Sequence, residues 1–161
     1  MGRKSYPVTA AIRILRGAKT RFAVRQYPYT EHGGALQAAE CLKLPPRKVI
    51  KTLVMQRKNG NPLLILMHGG MAVSTRALAR QIGARKVQPC DPSLAEKLTG
   101  YQVGGISPFG TRTAMPVYAQ ASIFELDRIC INGGRRGMLV ELDPAELVRL
   151  LGVTAVDAIQ A

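Results

Sequence analysis

The 161-residue chain contains no tryptophan and few aromatic residues of any kind, with three Phe and five Tyr. Proteins that bind single-stranded nucleic acid without sequence preference stack successive bases on aromatic side chains. A sequence this poor in aromatic residues does not supply such a stacking platform. If the protein binds a nucleic acid, we expect contacts to the phosphate backbone instead.

Cysteine and histidine are also scarce. The three cysteines, Cys41, Cys90 and Cys130, are odd in number and far apart, and only two histidines are present. Disulfide frameworks and zinc sites need ligands that are paired and regularly spaced. We therefore expect free thiols, no bound metal and no cofactor.

Long apolar runs are absent as well. No segment approaches the roughly 18 apolar residues that a membrane-spanning helix needs, and residues 1–7 lack the apolar core of a signal peptide. The length and the 47% apolar composition predict one globular domain over residues 1–161. We expect this domain to be cytoplasmic.

Acidic residues are few and unevenly distributed. The chain has 23 Lys and Arg against 10 Asp and Glu, which gives a net charge of +13. Residues 1–90 hold 17 of the basic residues and only two acids, Glu31 and Glu40, whereas residues 91–161 hold 6 basic and 8 acidic residues. This asymmetry favours a polyanionic partner, with nucleic acid as the first candidate. The alternative is that basic residues are merely common in the proteins of the source organism.

The most informative segment is the apolar run at residues 49–55. It is rich in β-branched residues and is bounded by prolines before it and by residues 59–62 after it, a pattern typical of a buried strand. Lys51 lies in its middle, and neither face of the alternating strand is polar. Because a charge is costly to bury, Lys51 either extends to the sheet edge or meets an anionic or carbonyl-bearing ligand in a pocket. This segment alone leaves both interpretations open.

The remaining pattern predicts an α+β fold. Apolar residues at helical spacing, with caps and glycine stops, predict helices within residues 8–17, 35–42, 74–82, 91–100 and 143–152. Residues 62–67 are expected to form the hairpin partner of the lysine strand, and residues 132–134 a tight hairpin turn. We predict a mixed, strongly curved, barrel-like sheet surrounded by helices.

The second unusual segment is the loop at residues 100–110, GYQVGGISPFG, which contains four glycines. Backbone amides in such loops approach ligands closely, but this loop matches neither a Walker loop nor a dinucleotide motif. His32 and His68 have no serine or cysteine elbow, and the acids are too scattered for a carboxylate pair. Any catalysis must therefore come from positioning and from amide or ammonium groups that stabilise developing negative charge.

Three segments together resemble the YbaK/EbsC-type aminoacyl-tRNA deacylases, free-standing relatives of the editing domain of bacterial prolyl-tRNA synthetase. They are residues 49–54 (VIKTLV), 100–110 and 132–141 (NGGRRGMLVE). The resemblance covers nearly the whole chain from about residue 10. The Gly-Ile-Ser-Pro form of the loop is closest to the branch that clears cysteine from mischarged prolyl-tRNA.

The resemblance implies a pocket for the aminoacylated 3′-terminal adenosine of a tRNA. Lys51 would be its central residue, and Gly104 and Gly105 would present amides to the ester carbonyl. The other residues implied in substrate binding are Tyr27, Thr52, Ser107, Pro108, Asn132 and Gly133. The nucleophile would be the substrate's thiol, a ribose hydroxyl or a water, and prolyl-tRNA synthetase or another synthetase would supply tRNA identity. Asn132 departs from the serine of many relatives, which affects the expected amino-acid selectivity.

Two other functions fit the residues less completely. A noncatalytic tRNA- or RNA-binding module would explain the charge alone, and a small-molecule binder would explain only Lys51. The editing enzyme accounts for the charge, the strand lysine and the glycine-rich loop together.

Overall fold

The computed structural model describes residues 5–161, so residues 1–4 of the predicted domain lie outside the described residues. The helices are α1 (Ala10–Gly17), α2 (Gly34–Leu42), α3 (Thr75–Ile82), α4 (Pro92–Thr99) and α5 (Ala145–Leu151). Thr9 and Ser74 cap α1 and α3 through hydroxyl oxygens that accept from the Ile12 and Ala77 N–H groups, each at 3.1 Å. In this part of the chain no helix combines the length and apolarity needed to cross a membrane.

Eight strands form one mixed sheet. They are β1 (Ala23–Gln26), β2 (Val49–Arg57), β3 (Pro62–His68), β4 (Val87–Pro89), β5 (Val117–Gln120), β6 (Ile129–Arg135), β7 (Met138–Leu142) and β8 (Thr154–Val156). The order across the sheet is β1-β7-β6-β2-β3-β5-β8, and β4 pairs with β2. The pairs β2–β6, β3–β5 and β5–β8 are parallel, and the others are antiparallel. The α+β class with a mixed sheet is confirmed.

Helices cover both faces of this sheet. On the face of Ile50 and Val54, the strands pack with α1, α4 and α5 in the main core. On the face of Val49 and Met55, α2 packs near one end of β2 and α3 near the other, in two separate apolar clusters. Lys51 lies on this second face, between the residues that contact α2 and those that contact α3.

Two local predictions need correction. Val8 precedes α1 and is 47% exposed, because the helix begins only after Thr9. Residues 132–134 are not the hairpin turn: β6 continues through them to Arg135 with a shift of register, and the chain turns at residues 136–137 instead. Gly137, with φ of +79°, supplies the conformation that this turn requires.

Candidate active site

The middle of β2 lies at a gap in the sheet. Along one edge, β2 pairs with β3 from Ile50 to Gln56. Along the other edge, β6 pairs only with Val49 and Ile50, and the pairing with β4 begins at Met55. Among the described residues no strand covers this edge at residues 51–53. A cavity of about 500 Å³ opens there, lined mainly by apolar side chains.

Lys51 is half-buried in this cavity. The neighbours on its face of the strand, Val49 and Leu53, are apolar, and Lys51 forms no salt bridge with any residue from 5 to 161. Burial lowers the pKa of the Lys51 ammonium from its ordinary value. A partly desolvated ammonium without a partner is stabilised when an anion or a polarised carbonyl oxygen approaches it. Lys51 therefore gives the cavity a preference for such ligands.

Thr52 also lines the cavity, although its side chain points to the opposite face of β2. Its Oγ1 is buried without a hydrogen-bond partner, the one such side-chain atom in the described part of the chain. Leaving a buried hydroxyl unpaired costs about 1–3 kcal/mol. A ligand that makes a hydrogen bond here offsets that cost.

The glycine-rich loop forms one wall of the cavity through Gly104. The φ of Gly104 is +92°, and a Cβ at this position would lie 2.6 Å from Tyr29 Oη. Tyr29 and Val103 line the cavity beside it. The missing side chain therefore lets the Tyr29 ring pack directly against the loop backbone.

A second cation, which the sequence analysis missed, lies at this wall. The guanidinium carbon of Arg136 is 5.1 Å from the centroid of the Tyr29 ring, a cation–π contact, and its Nε donates to Val103 O at 2.8 Å. Both Arg136 and Tyr29 line the cavity. The available sequence signals were weak: Tyr29 follows Tyr27 at the spacing of one strand face, and Arg136 follows the Asn-Gly-Gly segment.

Comparison with known proteins identifies the family. Residues 32–150 match the family model of the aminoacyl-tRNA editing domain. The chain belongs to the aminoacyl-tRNA editing domain family. It is 28% identical over 149 residues to EbsC of Enterococcus faecalis, named as a candidate Cys-tRNA(Pro)/Cys-tRNA(Cys) deacylase, covering 92% of this chain and 91% of that one. It is also 30% identical over 104 residues to the proline–tRNA ligase of Moorella thermoacetica, covering 64% of this chain and 18% of the ligase.

Solved structures share the fold. A crystal structure described as a candidate trans-editing enzyme for prolyl-tRNA synthetase superposes with a TM-score of 0.80 and 24% identity, covering 94% of this chain and 98% of the other. The hypothetical protein APE2540 gives a TM-score of 0.86 at 20% identity, covering 94% of this chain and all of its own. The mixed sheet and its helices are therefore the architecture of these proteins.

Of the residues that the editing-domain resemblance implied, the cavity brings five together: Tyr27, Lys51, Thr52, Gly104 and Asn132. Burial, and after it the neighbouring Tyr29 and Cys41, raises the pKa of the Tyr27 hydroxyl. This hydroxyl is therefore neutral at physiological pH and able to donate a hydrogen bond.

Three predicted site residues of the glycine-rich loop, Gly105, Ser107 and Pro108, lie outside the cavity lining. The Gly105 N–H donates to Gln102 O at 2.8 Å, and a Cβ on Gly105 would lie 2.7 Å from Arg136 N. This amide is paired within the loop, and its predicted donation to an ester carbonyl stays a prediction. Ser107 and Pro108 are buried, and Ser107 Oγ accepts from the Phe109 N–H at 3.1 Å. These residues shape the loop.

Asn132 joins the glycine-rich loop to β6. Its Oδ1 accepts from the N–H groups of Gly134 (2.7 Å) and Arg135 (3.1 Å), and its Nδ2 donates to Gly104 O at 3.2 Å. Gly133 is buried behind it, outside the cavity lining, where its carbonyl accepts from Thr9 Oγ1. Asn132 therefore fixes the position of Gly104 as well as lining the cavity.

The cavity lining offers few groups for nucleophilic or metal chemistry. Cys90 lines it, but burial and then the charge of Asp91 raise the pKa of the Cys90 thiol, which disfavours the thiolate. His32 and Glu31, both exposed, also line the cavity. His68 is buried elsewhere, where it hydrogen-bonds Arg47 O and Ser122 Oγ, both at 2.7 Å. Within residues 5–161, no cluster of three or more metal-ligating side chains occurs.

Proposed function

We propose that this chain is a trans-editing aminoacyl-tRNA deacylase that removes cysteine from Cys-tRNA(Pro). The observation that carries the proposal is Lys51, an unpaired cation of an apolar strand in a cavity that is also lined by Thr52, whose buried hydroxyl has no partner. Membership of the editing-domain family supports the reaction class, and the name of the Enterococcus relative supports the substrate. The proposal treats residues 1–161 as one editing domain.

Cleavage of the aminoacyl ester requires a nucleophile to add to its carbonyl carbon while the ribose oxygen leaves. Negative charge then develops on the carbonyl oxygen, and a preorganised cation in a water-poor site stabilises that charge more than water does. We assign this role to the Lys51 ammonium. Thr52 and Tyr27 hydrogen-bond the substrate, and Gly104 and Asn132 form the wall against which the ester lies.

The nucleophile in this proposal does not come from the protein. The raised pKa of the Cys90 thiol makes it a poor nucleophile at neutral pH. For a cysteinyl ester the substrate supplies its own: the thiol sulfur bonds to the ester carbon, the carbon–oxygen bond to the ribose breaks, and the ribose oxygen takes the thiol proton. When the amino acid has no thiol, a water replaces it: the water oxygen bonds to the ester carbon, the carbon–oxygen bond to the ribose breaks, and the ribose oxygen takes a proton from the water.

The partners in this proposal are the acceptor end of a tRNA and prolyl-tRNA synthetase. Similarity to a segment of a proline–tRNA ligase supports the synthetase as a partner, since the matched segment is 64% of this chain and only 18% of the ligase. A chain that recognises only an acceptor end obtains tRNA identity from such a synthetase.

The test is a panel of mischarged tRNAs, proline and cysteine isoacceptors among them, carrying cysteine, alanine or serine and scored for release of the amino acid. We expect release from Cys-tRNA(Pro) by the wild-type chain and none by the Lys51→Ala variant, with the folded state confirmed by circular dichroism. If tRNA is bound but every ester stays intact at high protein concentration, the chain is a noncatalytic RNA-binding module. Full activity of the folded Lys51→Ala variant would remove the role assigned to Lys51.

A further inference from the structure

A second cavity, of about 350 Å³, lies at the far end of β2. One wall is the end of β2 and the turn that follows, and the other is the segment between α3 and β4. The lining residues are Arg57, Lys58, Asn59, Gly83, Ala84 and Arg85. None of them belongs to the site described above.

This second cavity is strongly basic. Three of its lining residues, Arg57, Lys58 and Arg85, are cations, none is acidic, and none of the three forms a salt bridge within residues 5–161. The bias extends along the chain, since residues 41–90 contain ten Lys and Arg and no Asp or Glu. Three unneutralised cations at one concave surface attract an anion that carries more than one charge.

The two walls are held in place by hydrogen bonds. The Lys58 N–H donates to Lys86 O at 3.0 Å, which joins the turn after β2 to the segment before β4. The Arg57 N–H donates to Asn61 O at 2.8 Å and closes that turn. Arg57 Nη2 donates to Tyr118 Oη at 3.4 Å, which orients the guanidinium. The backbone at Lys58 and the Arg57 guanidinium are thus preorganised, which reduces the entropy cost of binding an anion.

The two cavities lie along the same strand. Arg57 follows Lys51 by six positions along β2, a distance of about 20 Å at ~3.3 Å per residue. The segment opposite β2 also reaches both cavities, because Pro89 and Cys90 line the first and Arg85 the second. A strand of nucleic acid whose 3′ end enters the first cavity would have phosphates several nucleotides upstream at the second.

We propose that Arg57, Lys58 and Arg85 form a binding site for the phosphodiester backbone of RNA, at the acceptor stem of the tRNA whose 3′ end occupies the Lys51 cavity. This inference rests on the proposed function for the identity of the RNA. Arginine binds phosphate through two parallel N–H groups, and lysine adds a point charge. The site contacts backbone only, so it strengthens binding without reading sequence.

The experiment measures the affinity of a fluorescein-labelled, non-aminoacylated acceptor-stem hairpin ending in CCA, between about 50 and 200 mM salt. The test variant is Lys58→Ala with Arg85→Ala, two exposed residues. The matched control is Arg13→Ala with Arg21→Ala, two exposed cations of the same basic half that line neither cavity. Each variant removes two positive charges.

We expect the test variant to bind the hairpin on the order of tenfold more weakly than the wild-type chain. The magnitude of its slope of log K against log salt should be smaller by about 1.4–1.8, the value for two lost phosphate contacts. The control variant keeps the wild-type slope, and neither variant changes the affinity for a CCA trinucleotide. A variant carrying only Arg57→Lys, which retains the charge but not the bidentate fork, weakens hairpin binding less than the test variant.

Equal slopes in the test and control variants would overturn the proposal, because binding would then depend on net charge alone. Thermal stabilisation by inorganic phosphate alone, lost in the test variant while hairpin affinity is unchanged, would show a free-anion site and would also overturn it. The readout is independent of catalysis. A chain that cleaves no ester yet shows the slope difference contradicts the proposed function and supports this site.

Discussion

Lys51 and Thr52 are adjacent in sequence and point to opposite faces of β2, yet both line one cavity. This is possible because the strand edge is uncovered between β6 and β4, so a ligand at the edge reaches both faces. One residue is a cation in a partly desolvated position, and the other is a hydroxyl without a partner. Both features cost stability unless a ligand pairs with them, which is typical of binding and catalytic residues.

Replacing Lys51 by methionine tests this cost directly. Methionine keeps the apolar stem and removes the charge, so we expect kcat for deacylation to fall by about 10²–10³-fold, as for the loss of one electrostatic stabiliser. The free energy of unfolding should rise at neutral pH, because burial lowers the pKa of the Lys51 ammonium and thus opposes folding of the charged form. Urea unfolding and single-turnover deacylation provide the two measurements.

The pH dependence gives a second readout for the same variant. In the window between the lowered folded pKa and the ordinary unfolded pKa of Lys51, the unfolded chain binds more protons. The Lys51 contribution to the free energy of unfolding of the wild-type chain should therefore increase as the pH rises through that window. The methionine variant should lack this increase. Lys97→Met, at an exposed position on α4, is the control and should retain activity. A methionine variant less stable than wild type would contradict the argument.

Gly104 can be tested against a glycine of similar backbone conformation. Gly104 and Gly152 have φ of +92° and +60°, but a Cβ meets Tyr29 Oη at 2.6 Å in the first case and open space in the second. Each substitution by alanine should cost about 1 kcal/mol of stability from the backbone alone. Only Gly104→Ala should also displace Tyr29 and lower kcat/KM, by up to about 10²-fold. Equal kcat/KM values for the two variants would show that the Tyr29 contact is irrelevant to the site.

Single residues differ in how far sequence predicts their place. Lys51 was predictable because a charge inside an apolar strand is anomalous wherever the strand lies. The hydrogen-bond partner of the Gly105 amide was not predictable. This partner, Gln102 O, depends on how the loop turns, and a glycine-rich motif does not specify the course of the loop. Arg136 and Tyr29 meet only after the β6–β7 hairpin packs against the loop, a contact between distant segments.

At the scale of elements, helices and the β2–β3 hairpin follow from local patterns, whereas the register of β6 does not. The Asn-Gly-Gly sequence is typical of a two-residue hairpin turn. Here Asn132 instead accepts hydrogen bonds from Gly134 and Arg135 inside a shift of register, and the turn moves to residues 136–137. The pairing with β7 and the contact with Gly104 O outweigh the local turn preference.

The carboxyl-terminal strand β8 is held to the sheet by two glutamines that differ in burial. Gln120 is 3% exposed; its Oε1 accepts from the Ala158 N–H at 2.7 Å and its Nε2 donates to Asp157 Oδ1 at 3.0 Å. Gln81 is exposed and pairs with the Asp157 backbone through both amide atoms. Gln120→Ala should cost about 1–3 kcal/mol, because it leaves a buried N–H unpaired.

Gln81→Ala is the matched control for that substitution, since water replaces its hydrogen bonds. We expect it to cost less than about 1 kcal/mol. Urea denaturation of both variants gives the comparison. A Gln120→Ala variant that loses no more stability than Gln81→Ala would show that β8 is held by its ladder with β5 and not by the buried amide.

For the whole molecule, the α+β class followed from a mixture of helical and strand patterns without regular alternation, but the strand order did not. Three parallel pairs, β2–β6, β3–β5 and β5–β8, join segments far apart in sequence. Local periodicity contains no information on such pairings. The gap at the β2 edge, and therefore the cavity, results from where β6 ends and β4 begins. Sequence predicted a lysine inside this apolar strand but not the gap in the sheet beside it.

The charge of the whole molecule predicts how its stability depends on salt. A net charge of +13 destabilises the compact state by self-repulsion, and the largely exposed Arg47–Glu125 salt bridge contributes little against it. Raising NaCl from about 10 mM to 0.5 M shortens the Debye length from ~30 Å to a few ångströms, so we expect Tm to rise. Arg13→Glu with Arg21→Glu, which lowers the net charge by four, should show a smaller rise. A Tm that falls with salt in the wild-type chain would mean that attractive ion pairs outweigh the repulsion.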